Sequence, residues 1–269
     1  MKSDDIRRIV RTSYAKAAKH SSCCGPQPSD KDSQCATAKC ASMGYTPGEL
    51  EIVPEGSNLG LGCGNPVAIA SLKEGETVLD LGSGAGFDCF LAAKKVGQNG
   101  RVIGVDMTPE MIDKARENAQ KGDFANVEFR LGEIEHLPVA DNSVDVIISN
   151  CVVNLAPDKH DVMKEAYRVL KPGGRILISD LALRGELPRK ILDDMAAYVS
   201  CVAGAIHIDD YKKAVQSAGF KNVKYSVNEA SICADPKTED EAARAFKLSA
   251  EEYKTLTDAV ISIYIEAVK

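Results

Sequence analysis

Asp80 stands near the end of the apolar run Thr77-Val-Leu-Asp-Leu81, and three glycines follow it at alternate positions, Gly82, Gly84 and Gly86. In an open parallel sheet, ligands bind outside the carboxyl ends of the strands. A glycine loop there lets the backbone approach a small molecule while a strand-end acid accepts a hydrogen bond from it. The spacing differs from the G-x-G-x-x-G of dinucleotide binders, and no Gly-Lys-Ser/Thr follows to cradle a phosphate. A cofactor lacking phosphates therefore fits better, although a plain strand-to-helix turn would use the same glycines. A second acid, Asp106, ends the run Arg101-Val-Ile-Gly-Val-Asp106. It follows the loop by about 20 residues, the offset at which a carboxylate takes the ribose hydroxyls of a nucleoside-containing cofactor. Glu133, after the run Val127-Glu-Phe-Arg-Leu131, is a third strand-end acid and could meet an exocyclic amine or simply face solvent.

The second chemical signal is cysteine. The chain has nine, an odd number that cannot all pair internally, and in a reducing compartment such an excess points to metal binding, redox or thiol chemistry. Cys23, Cys24, Cys35 and Cys40 lie in a Ser-, Pro-, Asp- and Lys-rich stretch from His20 to Ser42. It lacks the paired C-x-x-C spacing of a zinc site, so zinc is not expected there. Cys63 is flanked by glycines in Gly60-Leu-Gly-Cys-Gly-Asn-Pro66, just before a helical pattern over Val67 to Leu72. A helix N-terminus would lower its pKa and favour thiolate; a small buried residue in a tight turn is the competing reading. Cys151 follows the run Ser143–Asn150 at the end that faces the crevice, and Cys201 opens Cys201-Val-Ala-Gly-Ala205. Cys89 and Cys233 read as small apolar residues. His136, His160 and His207 read as surface or capping residues, which leaves no histidine base.

These residues need a frame, and the chain supplies one. Helical spacing over Asp4 to Lys19 predicts an amphipathic helix. Strands over 77–81, 101–106, 127–131, 143–150 and 175–180 alternate with helices over 87–96, 108–120 and 158–170, the last closed by Lys171-Pro-Gly-Gly174. Thr108 is the expected N-cap, with Pro109 at the first helical position. A helix over 189–200, a helix over 209–218, strands over 223–227 and 261–268 and a charged, helix-prone run over 238–258 complete the order. The alternation predicts an α/β fold with a doubly wound, mostly parallel sheet. The expected division is an N-terminal helix and cysteine-bearing loop over 1–45 and one main domain over 46–269.

Composition removes whole classes of function. A formal net charge of −6, with Lys and Arg scattered among acids, argues against a nucleic-acid partner, which demands clustered basic residues. No apolar stretch approaches the ~20 residues needed to span a bilayer, and the charged N-terminus does not read as a secretory signal. A cytoplasmic monomer is the expectation.

Taken in order, these segments resemble class I S-adenosylmethionine-dependent methyltransferases over residues 60 to 269. The matching motifs are Val78-Leu-Asp-Leu-Gly-Ser-Gly-Ala-Gly86, Val105-Asp106, the Glu133 loop, Val144-Asp-Val-Ile-Ile-Ser149 and Arg168-Val-Leu-Lys-Pro-Gly-Gly174. The resemblance implies that fold's seven-stranded Rossmann-like sheet. It puts Asp80 and the Gly82, Gly84 and Gly86 backbone at the methionine part of the cofactor and Asp106 at the ribose. It further puts Met107 on the adenine face and Glu133 at the adenine edge, with Asn150 also in the cofactor set. Within that superfamily the chain resembles arsenite methyltransferases, through Gly60–Pro66, Gly82-Ser-Gly-Ala-Gly-Phe-Asp-Cys89, Ser149-Asn-Cys-Val-Val-Asn-Leu155 and Tyr198-Val-Ser-Cys-Val-Ala-Gly-Ala205. That resemblance implies As(III), free or as a thiol conjugate, held by Cys63, Cys151 and Cys201. Either Cys35 or Cys40 would be an additional thiol, and glutathione or reduced thioredoxin would supply reducing power. Larger relatives are expected to continue beyond the strand at 261–268. Two alternatives stay open: carbon methylation of a quinone or sterol precursor, and a non-catalytic thiol module that binds metalloids.

Overall fold

In the computed structural model, residues 3–19, 44–227, 246 and 248–269 are described. Cys23, Cys24, Cys35, Cys40 and Cys233 lie outside them. Helix α1 (Ser3–Lys19) precedes two short helices, α2 (Pro47–Ile52) and α3 (Pro66–Ile69). The sheet region then runs β1 (Thr77–Leu81), α4 (Phe87–Val96), β2 (Arg101–Asp106), α5 (Pro109–Lys121), β3 (Val127–Leu131), β4 (Val144–Asn150), α6 (Lys159–Val169) and β5 (Leu170–Leu183). Helices α7 (Arg189–Leu192), α8 (Met195–Val199) and α9 (Ile208–Ser217) lead to β6 (Lys221–Val227), α10 (Ala250–Ala259) and β7 (Val260–Val268).

The seven strands form one sheet in the order β3-β2-β1-β4-β5-β7-β6. Pairings from β3 to β5 are parallel, and β7 runs antiparallel to both β5 and β6. This is the expected doubly wound, mostly parallel sheet, and the seven-stranded Rossmann-like frame of class I methyltransferases. The central strands are apolar because both faces are covered. One face packs Leu79, Leu81, Val105 and Ile147 toward α6 and α9, and the other packs Val78, Val102, Val146 and Ile148 toward α4 and α5. Chain order reverses at β1, which lies between β2 and β4, so the carboxyl ends of β1, β2 and β4 open onto one crevice.

The structure differs from the periodicity in three places. The helix before Lys171-Pro-Gly-Gly174 ends at Val169, as expected to within a residue, but the segment itself is part of the sheet. Leu170 already pairs with Val144, and a register shift between Val144 and Val146 absorbs the segment into β5. The helical pattern over 189–200 splits into α7 and α8, because the Asp194 carboxylate accepts the Ala196 and Ala197 N–H groups and starts a new helix. Thr108 occupies the N-cap of α5 without a side-chain cap bond. Its own N–H donates instead to Asp106 Oδ1 at 2.8 Å.

Candidate functional site

The crevice is built first from backbone. Gly82, Gly84 and Gly86 have φ values of +71°, +51° and +94°, a region that L side chains avoid. A Cβ at Gly82 would lie 2.3 Å from Val152 Cγ2, and one at Gly86 2.7 Å from Phe129 Cζ, so packing also requires glycine at both. At Gly84 nothing lies within 4 Å, because that position faces open space. The Gly82 and Ser83 N–H groups donate to the Val105 carbonyl at 2.8 and 3.0 Å, and Gly84 N–H donates to Asp106 Oδ2 at 3.0 Å. The loop is thereby tied to the end of β2.

A cleft lies above this loop, lined by Asp80, Ser83, Asp106, Met107, Asn150 and Cys151 among others. Three acids face it, Asp80 and Asp88 buried and Asp106 half-buried. Burial pushes Asp80 well above the usual carboxylate range, the neighbouring Asp88 raises it further, and Cys89 Sγ donates to its Oδ2 at 3.2 Å. Burial also raises Asp88, to about 6, against hydrogen bonds from Tyr45 and Asn150. Asp106 is raised by burial despite two backbone donors. A pocket that holds uncompensated carboxyl groups favours a cationic ligand, which would return their charge. Ser83 Oγ, buried at the same loop, has no hydrogen-bond partner among the described residues. The acids, the glycine cradle and this orphaned hydroxyl fit S-adenosylmethionine, whose amino-acid and ribose parts would supply the missing polar partners.

Sequence reasoning and structure part at Glu133. Its carboxylate pairs with Arg7 Nε of α1 at 3.3 Å, while its neighbours Gly132, Ile134 and Glu135 line the cleft. Arg7 also meets the buried Glu135 at 3.0 Å, so α1 is fastened across the cleft margin. Cys89, expected as a small apolar residue, is buried but spends its thiol proton on Asp80. His207 caps α9 through Nδ1, as a capping role requires.

Next to the cleft, three distant segments converge. Cys151 follows β4 at φ +59° and donates its N–H to the Ser179 carbonyl at 2.8 Å. Cys201 follows α8 at φ +66°, and its Sγ donates to the Cys151 carbonyl at 2.9 Å. Two non-glycine residues in the left-handed region at one site are conformations that the surroundings must impose. Cys63 is held by its N–H, which donates to Asn150 Oδ1 at 2.9 Å. The flanking glycines let this loop press on the sheet: a Cβ at Gly62 would lie 2.7 Å from Asn150 Nδ2, and one at Gly64 2.3 Å from Ser179 Oγ.

The structure joins Cys63 to Cys151 as a disulfide, with S–S 1.94 Å and Cα–Cα 5.8 Å, a backbone separation that disulfides normally span. This corrects the expectation of a free Cys63 thiolate. The loop brings its sulfur to the Cys151 sulfur, so in the oxidised state neither titrates. Asp180, at the same end of β5, has a carboxylate oxygen within 4.8 Å of both sulfurs. Burial raises it to about 7, although it accepts from Asn154 N–H, Leu181 N–H and the Tyr211 hydroxyl. The rule that selected Asp80 and Asp106, an acid near the end of a buried strand, would also have found Asp180. Tyr14, half-buried against the cysteine cluster, gave no signal beyond its place on the apolar face of α1. A second cavity opens on the far side of the thiols between α1 and α8, with all three cysteines, Arg8 and Lys16 in its wall. Among the described residues no helix is long and apolar enough to cross a membrane.

A family model described as "Methyltransferase domain" matches residues 72–219. Arsenite methyltransferase of Halobacterium salinarum is 52% identical over 236 residues, which are 85% of this chain and 60% of the relative. Arsenite methyltransferase of Aquipseudomonas alcaligenes is 39% identical over 80% of this chain and 62% of the relative. Among solved structures, an arsenic(III) S-adenosylmethionine methyltransferase from Chlamydomonas reinhardtii aligns with a TM-score of 0.63 at 32% identity. That alignment covers 91% of this chain and 74% of the other. The chain thus spans about 60% of the length of the curated relatives it matches.

Proposed function

The chain belongs to the arsenite methyltransferase family of S-adenosylmethionine-dependent methyltransferases, and from that premise we propose that it methylates trivalent arsenic held by Cys63, Cys151 and Cys201. The observation that carries this reading is the convergence of the three cysteines at the edge of the glycine-loop cleft. Cys63 and Cys151 are within bonding distance, and Cys201 Sγ lies 2.9 Å from the Cys151 carbonyl. Trivalent arsenic is soft and prefers sulfur ligands over oxygen. Reduced, the three cysteines would hold it as a pyramidal thiolate complex with an exposed lone pair.

S-adenosylmethionine supplies an activated methyl group on a sulfonium sulfur. Asp80, Asp106 and the Gly82–Gly86 backbone hold it, and Met107 with Asn150 borders the same cleft. Glu133 reaches the adenine edge in this reading only by leaving Arg7. The protein's task is then alignment: a lone pair and a methyl carbon set in line and close together need no base on arsenic. No histidine is required, in keeping with a site built of thiols and buried acids. Val10 and Leu155 pack on the cysteines.

The lone pair forms the arsenic–carbon bond while the carbon–sulfonium bond breaks, and arsenic becomes formally pentavalent. Its return to the trivalent state takes two electrons from a pair of thiols, which leave as a disulfide. Cys63 and Cys151 are suitably placed to be such a pair, and glutathione or reduced thioredoxin would restore them. Arg8 and Lys16, in the wall of the second cavity, suit the carboxylates of a thiol conjugate that delivers arsenic. Participation of Cys35 or Cys40, a cytoplasmic location and a monomeric state belong to the same proposal.

The test is incubation of the chain with arsenite, S-adenosylmethionine and a thiol reductant, followed by separation of the arsenic species. Methylated arsenic is expected from the wild type. Its absence, or unchanged turnover in Cys151→Ser and Cys201→Ser, refutes the proposal.

A further inference from the structure

Asn150 is the last residue of β4, and its side chain touches both halves of the site. On the thiol side, Oδ1 accepts the Cys63 N–H at 2.9 Å, and Nδ2 donates to the Gly64 carbonyl at 2.8 Å. On the cleft side, Nδ2 also lies 3.0 Å from Asp88 Oδ2 and 3.0 Å from the Tyr45 hydroxyl. The Tyr45 hydroxyl in turn donates to Asp88 Oδ1 at 2.6 Å. Tyr45 and Asp88 are buried and line the donor cleft. Asn150 is followed directly by Cys151, so one residue fixes Cys63 through its side chain and Cys151 through its backbone.

A carboxamide nitrogen carries two hydrogens, yet Nδ2 faces three acceptors: the Gly64 carbonyl, the Asp88 carboxylate and the Tyr45 hydroxyl. The bond that clamps the Cys63 loop therefore competes with bonds that belong to the cleft. A ligand ammonium that takes the Asp88 carboxylate removes one competitor. The two N–H groups are then committed to Gly64 and Tyr45, and the loop bearing Cys63 is clamped at full occupancy. Gly62 permits this close approach, since a Cβ there would collide with the Asn150 amide.

We propose that Asn150 is a positioning residue that couples the two halves of the site, so that a filled donor cleft tightens the Cys63 loop and raises the affinity of the thiols for trivalent arsenic. The inference rests on the proposed assignment of the thiols to arsenic. Coupling of this kind is reciprocal, and couplings between protein sites commonly amount to about 5- to 150-fold. Arsenic bound at the thiols would hold the cofactor by the same factor.

Tyr45→Phe provides the discriminating variant, because the ring that packs edge-on against Phe87 is kept while one of the three acceptors is lost. With two acceptors for two hydrogens, the clamp is already engaged in the empty protein. A merely structural loss would weaken arsenic binding; this scheme predicts that binding tightens. The experiment uses the full chain, fully reduced. Arsenite affinity is measured with and without saturating S-adenosylhomocysteine, the unreactive product that retains the ammonium group. Wild type is expected to bind arsenite at least five-fold more tightly when S-adenosylhomocysteine is present. Tyr45→Phe is expected to bind it more tightly than wild type in the empty state and to respond less than two-fold. Asn150→Ala should bind arsenite more weakly in both states and show no response. Wild type that binds arsenite with the same affinity in both states overturns the coupling and leaves the proposed function standing. So does a Tyr45→Phe variant with the full wild-type response. Wild type that binds no arsenite at all overturns both.

Discussion

The two halves of the site are made differently. The donor half comes from consecutive backbone: β1, the loop Gly82 to Gly86 and the strand-end Asp106 are joined by hydrogen bonds between segments about 20 residues apart, the short spacing typical of nucleotide-binding βαβ units. The thiol half is assembled from three segments, with Cys63 and Cys151 at a sequence separation of 88. Two of its three cysteines adopt left-handed backbone conformations. A site whose geometry is local in sequence is specified by turn chemistry, whereas one assembled from afar depends on the sheet and α1 to bring it together. The donor half should therefore survive damage to the thiols, and each half should fail in its own way.

Cys151→Ser should divide the halves most sharply. We expect at least a 100-fold loss of arsenic methylation, measured by separation of arsenic species, with S-adenosylhomocysteine affinity unchanged within three-fold by calorimetry. Loss of cofactor affinity in this variant would erase the distinction between the halves.

Within the donor half, Gly82→Ala and Gly84→Ala should differ, although both residues have positive φ. The Gly82 substitution adds a clash at 2.3 Å with Val152 to the backbone strain, for a combined cost of about 2–4 kcal/mol. The Gly84 substitution meets nothing within 4 Å and should cost only the left-handed backbone strain, about 1–2 kcal/mol. Urea denaturation of the two variants measures the difference, and equal midpoints would mean that packing beneath the loop is not what requires glycine.

The buried acids give the donor half a pH signature. Asp88 titrates near 6 in the folded chain, against 3.8 for an unperturbed carboxyl. Between those values the folded chain binds more protons than the unfolded one. This contribution to stability is complete below pH 4 and is lost as the pH rises through 6. The magnitude is on the order of a few kcal/mol at most. Thermal melting between pH 4 and 7 should show a decline in wild type that is shallower in Asp88→Asn; parallel curves would contradict this assignment.

The smallest effect is expected where α1 fastens the cleft. Arg7 is partly exposed and pairs with Glu133 and the buried Glu135. Arg7→Ala should weaken cofactor binding a few-fold, about 1 kcal/mol, in an S-adenosylhomocysteine titration. Unchanged affinity would mean that α1 covers the cleft without contributing to it.

What could be read from the sequence follows the same division. The strand-end acids and alternating glycines of the donor half were visible because their chemistry is fixed by the residue and its place at the end of a strand. The order of strands and helices was visible for the same reason. The end of the helix before Lys171–Gly174 was legible, but the place of that segment in β5 was not, because a register shift in the β4–β5 pairing is a tertiary event. Cys63, Cys151 and Cys201 could be named through resemblance, but no periodicity revealed that Cys63 and Cys151 meet or that Cys201 donates to the Cys151 carbonyl. Asn150 was legible only as a cleft residue. Its hold on Cys63 depends on a loop 87 residues earlier. Arg7 and Tyr14 stayed hidden because the docking of α1 is decided by packing against distant surfaces.

The central claim is that three thiols from separate segments hold one arsenic atom beside the donor cleft. X-ray absorption of the reduced, arsenite-loaded chain tests it most directly by counting sulfur neighbours. We predict three sulfurs and no oxygen in wild type, and two sulfurs in each of Cys63→Ser, Cys151→Ser and Cys201→Ser. A wild-type first shell that contains oxygen, or a sulfur count unchanged by any one of these substitutions, would contradict it.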